Sequence, residues 1–149
     1  EAGTRVPFLV YWNGKIKPQV SDALVCQIDF LASFAALVGQ QIPSNDSQNI
    51  LNAFLGKTKN GRSNLVIEAS TRLAFRSGDW AMIPPYKGNA VSKDVNIELG
   101  NSIDYQLFNL NSDISEKDNL AKTNPKKLEE MKSLMKQIVG NKYDFEVNK

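Results

Sequence analysis

The sequence predicts an α+β fold: a strand and two short helices first, then a small antiparallel sheet, then a helix packed on one face of that sheet. Phe30, Leu31, Phe34, Ala35, Leu37 and Val38 recur at helical spacing between Asp29 and Gly39. Leu73-Ala74-Phe75-Arg76 and Trp80-Ala81-Met82-Ile83 are short β-prone runs joined around Ser77-Gly78-Asp79, a hairpin signal. Leu128, Met131, Leu134, Met135 and Ile138 repeat at helical spacing after Asn124-Pro125.

Taken in order, Val6-Pro7-Phe8-Leu9-Val10-Tyr11-Trp12 is apolar and β-prone and predicts a buried strand, closed by the turn signal Asn13-Gly14. Residues 15–19 read as a surface connection. Ala23-Leu24-Val25-Cys26 fits either a short strand or an early helical turn. Asp29 is expected to N-cap the first helix and Gly39 to stop it. Ile50, Leu51, Phe54 and Leu55 predict a second short helix ended by Gly56, with polar loops over 40–49 and 56–63. The pattern then turns to β. Leu65-Val66-Ile67-Glu68 predicts a strand, the hairpin follows, and Pro84-Pro85 ends it. Residues 86–102 are weakly periodic and are expected to form an exposed loop. Tyr105-Gln106-Leu107-Phe108-Asn109-Leu110 alternates and predicts the last strand. Gly140 is expected to stop the final helix. The domain organisation expected is 1–62 for the strand and helices, 63–140 for the sheet and its helix, and 141–149 as a tail.

Composition excludes several chemistries. With 149 residues, 42% hydrophobic and 23% charged, the chain can bury a core. A net charge of +2, from 18 basic and 16 acidic residues, supplies no electrostatic footprint for nucleic acid. No apolar run approaches the length of a membrane-spanning helix, and no signal peptide is evident. The chain opens at Glu1 and enters its apolar run almost at once, so a fragment or processed form is expected. There is no histidine, which excludes Ser-His-Asp and Cys-His machinery and the usual His-containing zinc sites. Cys26 is the single cysteine, so neither an intrachain disulfide nor a thiolate cage can form.

Six segments, in order over roughly residues 1–140, resemble the C-terminal region of the sulfatases, in the alkaline-phosphatase-like superfamily. Glu1-Ala2-Gly3-Thr4-Arg5-Val6-Pro7 resembles the family's Glu-Gly-Gly-x-Arg-Val-Pro stretch, and Trp12-Asn13-Gly14-Lys15-Ile16 its Trp-Pro-Gly-Lys-Ile turn. Gln27-Ile28-Asp29-Phe30-Leu31 with Ala36-Leu37-Val38-Gly39 is similar to its Asp-Leu-x-Pro-Thr-Leu…Leu-x-Gly helix, and Leu55-Gly56-Lys57 to the end of its next element. Ala74-Phe75-Arg76-Ser77-Gly78-Asp79-Trp80 resembles its Ala-x-Arg-x-Gly-x-Trp-Lys hairpin. Gln106-Leu107-Phe108-Asn109-Leu110, through Asp113, Glu116 and Asn119-Leu120-Ala121, resembles its Glu-Leu-Tyr-Asn-Leu…Asp-Pro-x-Glu-x-x-Asn-Leu-Ala signature. Ala2, Asn13, Ser33 and Ala81 depart from the residues usual there.

The resemblance implies the C-terminal part of an alkaline-phosphatase-like α/β sulfatase fold, carrying a small antiparallel sheet packed by a C-terminal helix. It implies hydrolysis of sulfate esters, on sulfated carbohydrate or aryl sulfate, by a parent that is periplasmic, secreted or lysosome-like. Such enzymes use a formylglycine made from Cys or Ser in a Cys/Ser-x-Pro/Ala-x-Arg motif, with a calcium ion polarising the sulfate. No proline here has Cys or Ser two residues before it, and Cys26 is followed by Gln27-Ile28. No catalytic residue and no metal ligand is therefore expected in this chain. Calcium and formylglycine are expected in an N-terminal part, with a catalytic Lys just before the segment resembling residues 1–7.

Three residues remain as candidate substrate contacts. Arg5 could orient an acidic group of the parent site, although a structural ion pair is favoured. Arg76, with Asp79, could reach substrate at the rim, against turn chemistry and a cross-strand pair. Trp80 could stack on a sugar, but its alternation with Met82 favours the core. Asp113, Glu116 and Asp118 lack the spacing of a calcium loop and read as a turn. Lys126, Lys127, Lys132 and Lys136, interleaved with Glu129 and Glu130, read as the solvated face of the last helix, with Met131 and Met135 on its core face. Cys26 is expected to be a small buried apolar residue, and Asn45-Asp46-Ser47 matches a glycosylation sequon. The competing readings are a non-catalytic binding or assembly module, pairing through an exposed sheet edge, and the same region of a phosphodiesterase or phosphonate hydrolase.

Overall fold

A computed structural model describes residues 4–43, 46–69 and 72–140. Two compact units divide the described residues, one of Arg5–Ser63 and one of Thr4 with the residues from Asn64 onward.

In the first unit, residues 6–12 do not form the predicted strand. They run irregularly, with Leu9 93% and Tyr11 87% exposed. A strand needs a neighbour for its backbone groups, and no described residue of this unit is in a strand. Phe8 still joins an aromatic cluster, stacking on Phe30 at 5.8 Å between centroids and meeting Phe54 edge-on at 5.7 Å. Asn13-Gly14 makes the expected turn, with Lys15 N–H donating to the Trp12 carbonyl and Gly14 at φ +69°. Residues 23–26 are neither strand nor helical turn. A single 3-10 turn, Gln27–Asp29, leads into α1, Phe30–Leu37. Gly39 ends it at φ +76°. One further helical turn, α2 (Leu51–Phe54), closes on Gly56. Ile50, Ala53 and Phe54 form the buried centre, packed by Ala23, Val25 and Phe30.

Asp29 stands at the N-cap position of α1 but makes no capping bond. The fully buried carboxylate instead accepts from Arg62 and from a loop amide, a stronger use of a charge than a cap to one exposed N–H.

Gly61 is fixed by sterics. Arg62 N–H donates to the Leu24 carbonyl at 2.8 Å, and a Cβ on Gly61 would run into that carbonyl oxygen and lie 2.8 Å from Leu24 N. The obstacle is backbone and cannot swing aside. Gly61→Ala should therefore destabilise this unit by several times the cost of Gly39→Ala. At Gly39 the space is open, and the substitution pays about 1–2 kcal/mol for a side chain in the left-handed region. Denaturant titration of the two variants checks this; equal losses would refute it.

The second unit is a four-stranded antiparallel sheet, whose first three strands lie in chain order followed by the last strand, with one helix on it. Its strands are β1 (Asn64–Ala69), β2 (Arg72–Ser77) and β3 (Trp80–Ile83). β2 and β3 join through the two-residue loop Gly78-Asp79, with Ser77 opposite Trp80 and Gly78 at φ +55°. The segment expected as a plain loop holds a small hairpin, β4 (Val91–Ser92) with β5 (Ile97–Glu98). Two-residue strands are too short to show periodicity. β6 (Gln106–Asn109) then pairs with β3. Its outer edge is closed: Leu107 N–H donates to Asn119 Oδ1 at 3.0 Å, and Leu120 N–H to the Leu107 carbonyl at 2.8 Å.

α3 (Pro125–Val139) starts at proline and stops at Gly140, φ +63°. Asn124 holds the cap position without a side-chain capping bond; its amide donates to Thr123 Oγ1. Met131 and Met135 are fully buried against Leu73, Phe75, Met82 and Leu107, so α3 covers one face of the sheet as expected. Ile138 is 52% exposed and does not join that face, contrary to its spacing. Asn45 and the predicted tail, 141–149, lie outside the described residues.

Candidate functional site

The hairpin brings two of the candidate contacts together and then separates them. Side chains alternate across a sheet, and Phe75 pairs with Met82 while Arg76 pairs with Ala81. Trp80 and Met82 therefore share the α3 face, and Arg76 points to the opposite one. Trp80 is half-buried against the core cluster, with Lys127 Nζ 5.7 Å from its ring centroid. This is the core position the alternation predicts. Arg76 Nε donates to the Gly78 carbonyl at 3.3 Å, which is turn chemistry. Among the described residues no ion pair joins it to Asp79, whose carbonyl accepts from Leu110 N–H. Arg5 is exposed and belongs to the first unit.

Asp113 Oδ2 accepts from Asp118 N–H at 2.9 Å and Glu116 sits at φ +52°, a closed turn. Among the described residues no group of three or more His, Cys, Asp or Glu side chains could hold a metal ion. Cys26 is half-buried rather than buried, because it lies on an irregular segment at the unit's surface. Of the predicted solvated lysines, Lys126 and Lys136 are exposed. Lys127 and Lys132 are half-buried, lying over Trp80 and Tyr105 while pairing with Glu130 and Glu129 at 2.7 Å.

The most connected polar group of the first unit was not foreseen. Asp29 Oδ1 accepts from Arg62 Nη1 at 2.9 Å and from Gln48 N–H at 2.8 Å. Arg62 Nη2 donates to the Asp46 carbonyl at 2.9 Å. Buried Ser33 accepts from Ile50 N–H at 3.0 Å, and Ser47 Oγ from Ala32 N–H at 2.9 Å. These bonds pin the loop before α2 onto α1. Beside them lies an open apolar groove lined by Ile28, Leu31, Phe34, Val38 and Ile42. The network holds structure; it offers neither a nucleophile nor a proton donor to a bound molecule.

A sequence model of the sulfatase family matches residues 1–40. The chain is 41% identical over 142 residues to an N-acetylgalactosamine-6-O-sulfatase of Bacteroides thetaiotaomicron, covering 93% of this chain and 28% of that protein. It is 36% identical over 67 residues to human arylsulfatase A, 44% of this chain and 13% of that one. A solved structure concerned with the metabolism of multiple glycosaminoglycans by Bacteroides thetaiotaomicron superposes at TM-score 0.78 and 38% identity, over 85% of this chain and 27% of that one. A structure in complex with its substrate, D-glucosamine-2-N,6-O-disulfate, shares the fold at TM-score 0.57 and 16% identity, over 85% of this chain and 26% of that one. The chain thus spans under a third of the length of these relatives. A relative similar along nearly the whole chain, a shared sheet-and-helix fold and the ordered motifs agree: the chain belongs to the sulfatase family, as a C-terminal region of its fold.

Proposed function

We propose that this chain is the non-catalytic C-terminal part of a sulfatase that hydrolyses sulfate esters on a sulfated sugar, with 6-sulfated N-acetylgalactosamine as the reference substrate. The observation that carries this is the 41% identity to an N-acetylgalactosamine-6-O-sulfatase across 93% of the chain. Opening a sulfate ester needs a nucleophile and charge stabilisation. A chain without histidine, whose one cysteine lies outside any maturation motif, supplies no formylglycine nucleophile. Formylglycine and calcium would come from the remainder of the parent, which we place in the periplasm, outside the cell or in a lysosome-like compartment. The C-terminal part would support and wall the substrate cleft.

The test measures sulfate released from N-acetylgalactosamine 6-sulfate by the whole polypeptide that carries this sequence and by residues 1–149 alone. Release by the whole polypeptide and none by the chain alone is expected. A whole polypeptide that cleaves a phosphodiester but releases no sulfate would overturn the reading in favour of the phosphodiesterase branch.

A further inference from the structure

We propose that Arg72, held over the ring of Tyr86 on the sheet face away from α3, is an anion-binding subsite that takes an oxyanion carried by a saccharide. The proposal rests on the sulfated-sugar reading for its ligand class and on local geometry for everything else.

Arg72 opens β2, and alternation with buried Leu73 sends its side chain to the face opposite α3. Its guanidinium carbon lies 4.9 Å from the Tyr86 ring centroid. Stacking of this kind fixes the plane of the guanidinium while leaving its edge donors free. Those donors are unspent. Arg62 commits Nη1 to Asp29 and Nη2 to the Asp46 carbonyl, and Arg76 donates to Gly78. Among the described residues, Arg72 meets neither a carboxylate nor a carbonyl, and its Nε is buried with no hydrogen-bond partner. A buried charged N–H without an acceptor carries a cost, and the half-buried terminal nitrogens beside it remain open to an oxyanion. The fork of terminal nitrogens matches two oxygens of a sulfate or carboxylate.

The platform beneath it is built rather than incidental. Tyr86 follows two buried prolines, Pro84 and Pro85, and its N–H donates to the Ser102 carbonyl at 2.7 Å. Gly88 lets the loop close on the ring: a Cβ there would lie 3.2 Å from Tyr86 Cε1 and 2.9 Å from Asn101 Nδ2. Asn101 is tied by its amide to the Asn89 carbonyl at 2.6 Å. Arg76 lies on the same face four residues along, so this side of β2 is cationic.

The experiment titrates the 149-residue chain with N-acetylgalactosamine 6-sulfate, unsulfated N-acetylgalactosamine, galacturonate and inorganic sulfate. Calorimetry and the Arg Nε–H resonances give the readouts. The sulfated sugar is expected to bind and to shift the Arg72 resonance. Arg72→Met should weaken binding at least about tenfold, and Arg72→Lys should restore part of it, because an ammonium keeps the charge without the fork. Tyr86→Phe keeps the ring and should bind like the parent chain; Tyr86→Leu should not. Lys136→Met, on the exposed side of α3, should change affinity less than twofold. No binding by the parent chain, or equal binding by Arg72→Met, overturns the subsite. If Arg72→Met unfolds, loss of binding in Tyr86→Phe overturns it instead. Arg72-dependent binding of galacturonate as tight as that of the sulfated sugar supports an oxyanion subsite that does not distinguish carboxylate from sulfate. Sulfate release by the whole polypeptide together with Arg72-independent binding removes the subsite and keeps the proposed function.

Discussion

Replacing Asp29 by Ala should cost the first compact unit about 3–5 kcal/mol, the range for breaking a buried ion pair from one side. Asp29 is fully buried and the Arg62 side chain is 9% exposed, so water cannot take over the lost contact. The substitution strands a guanidinium whose Nε already lacks a partner, and it frees the Gln48 N–H as well. Asp29→Asn should cost less, because an amide oxygen can still accept from Gln48. Replacing Asp29 and Arg62 together by leucines should cost less than the two single changes added, since no uncompensated charge remains. The measurement is denaturant unfolding followed by Trp12 fluorescence in a Trp80→Phe background, so that the signal comes from this unit alone. A loss below about 1 kcal/mol for Asp29→Ala would mean that the pair behaves as a surface salt bridge.

How far the sequence could be read follows from the range of each interaction. The β2–β3 hairpin and α3 were legible because their signals are local: alternation on both sides of Gly78-Asp79, and an apolar stripe opened by Asn124-Pro125 and closed by Gly140. Residues 6–12 were misread because an apolar run reports a tendency to be covered and says nothing about a partner strand. Asp29 was read as a cap because capping is a neighbour effect. Its actual partner, Arg62, is 33 residues away, and no local pattern couples them. Strand parity separates two of the candidate contacts. With a two-residue loop, Ser77 faces Trp80, so Arg76 and Trp80 must fall on opposite faces. Arg72 and Arg76, four apart on one strand, were recoverable as same-face residues; that one stacks on Tyr86 was not, since the ring arrives from the loop beyond β3.

Phe75→Ala should be the most damaging single change in the second unit, at about 3–5 kcal/mol. Phe75 is 1% exposed, lies mid-strand in β2 opposite Met82, and belongs to the cluster that buries Met131 and Met135. Removing the ring leaves a cavity at the point where helix meets sheet, and packing density there leaves little room for collapse. The loss should reach α3. A helix of 15 residues is marginal without tertiary contacts, and the buried face of this one rests on two methionines. Phe75→Leu, which keeps most of the volume, should cost far less. Far-ultraviolet circular dichroism and Trp80 fluorescence in a Trp12→Phe background should then report coincident loss of helix and of the indole's packed environment at lower denaturant. If helix content survives while Trp80 becomes solvated, α3 does not depend on this cluster. In that event its amphipathic spacing and its two i,i+3 Lys–Glu pairs, rather than this cluster, would be what holds it helical.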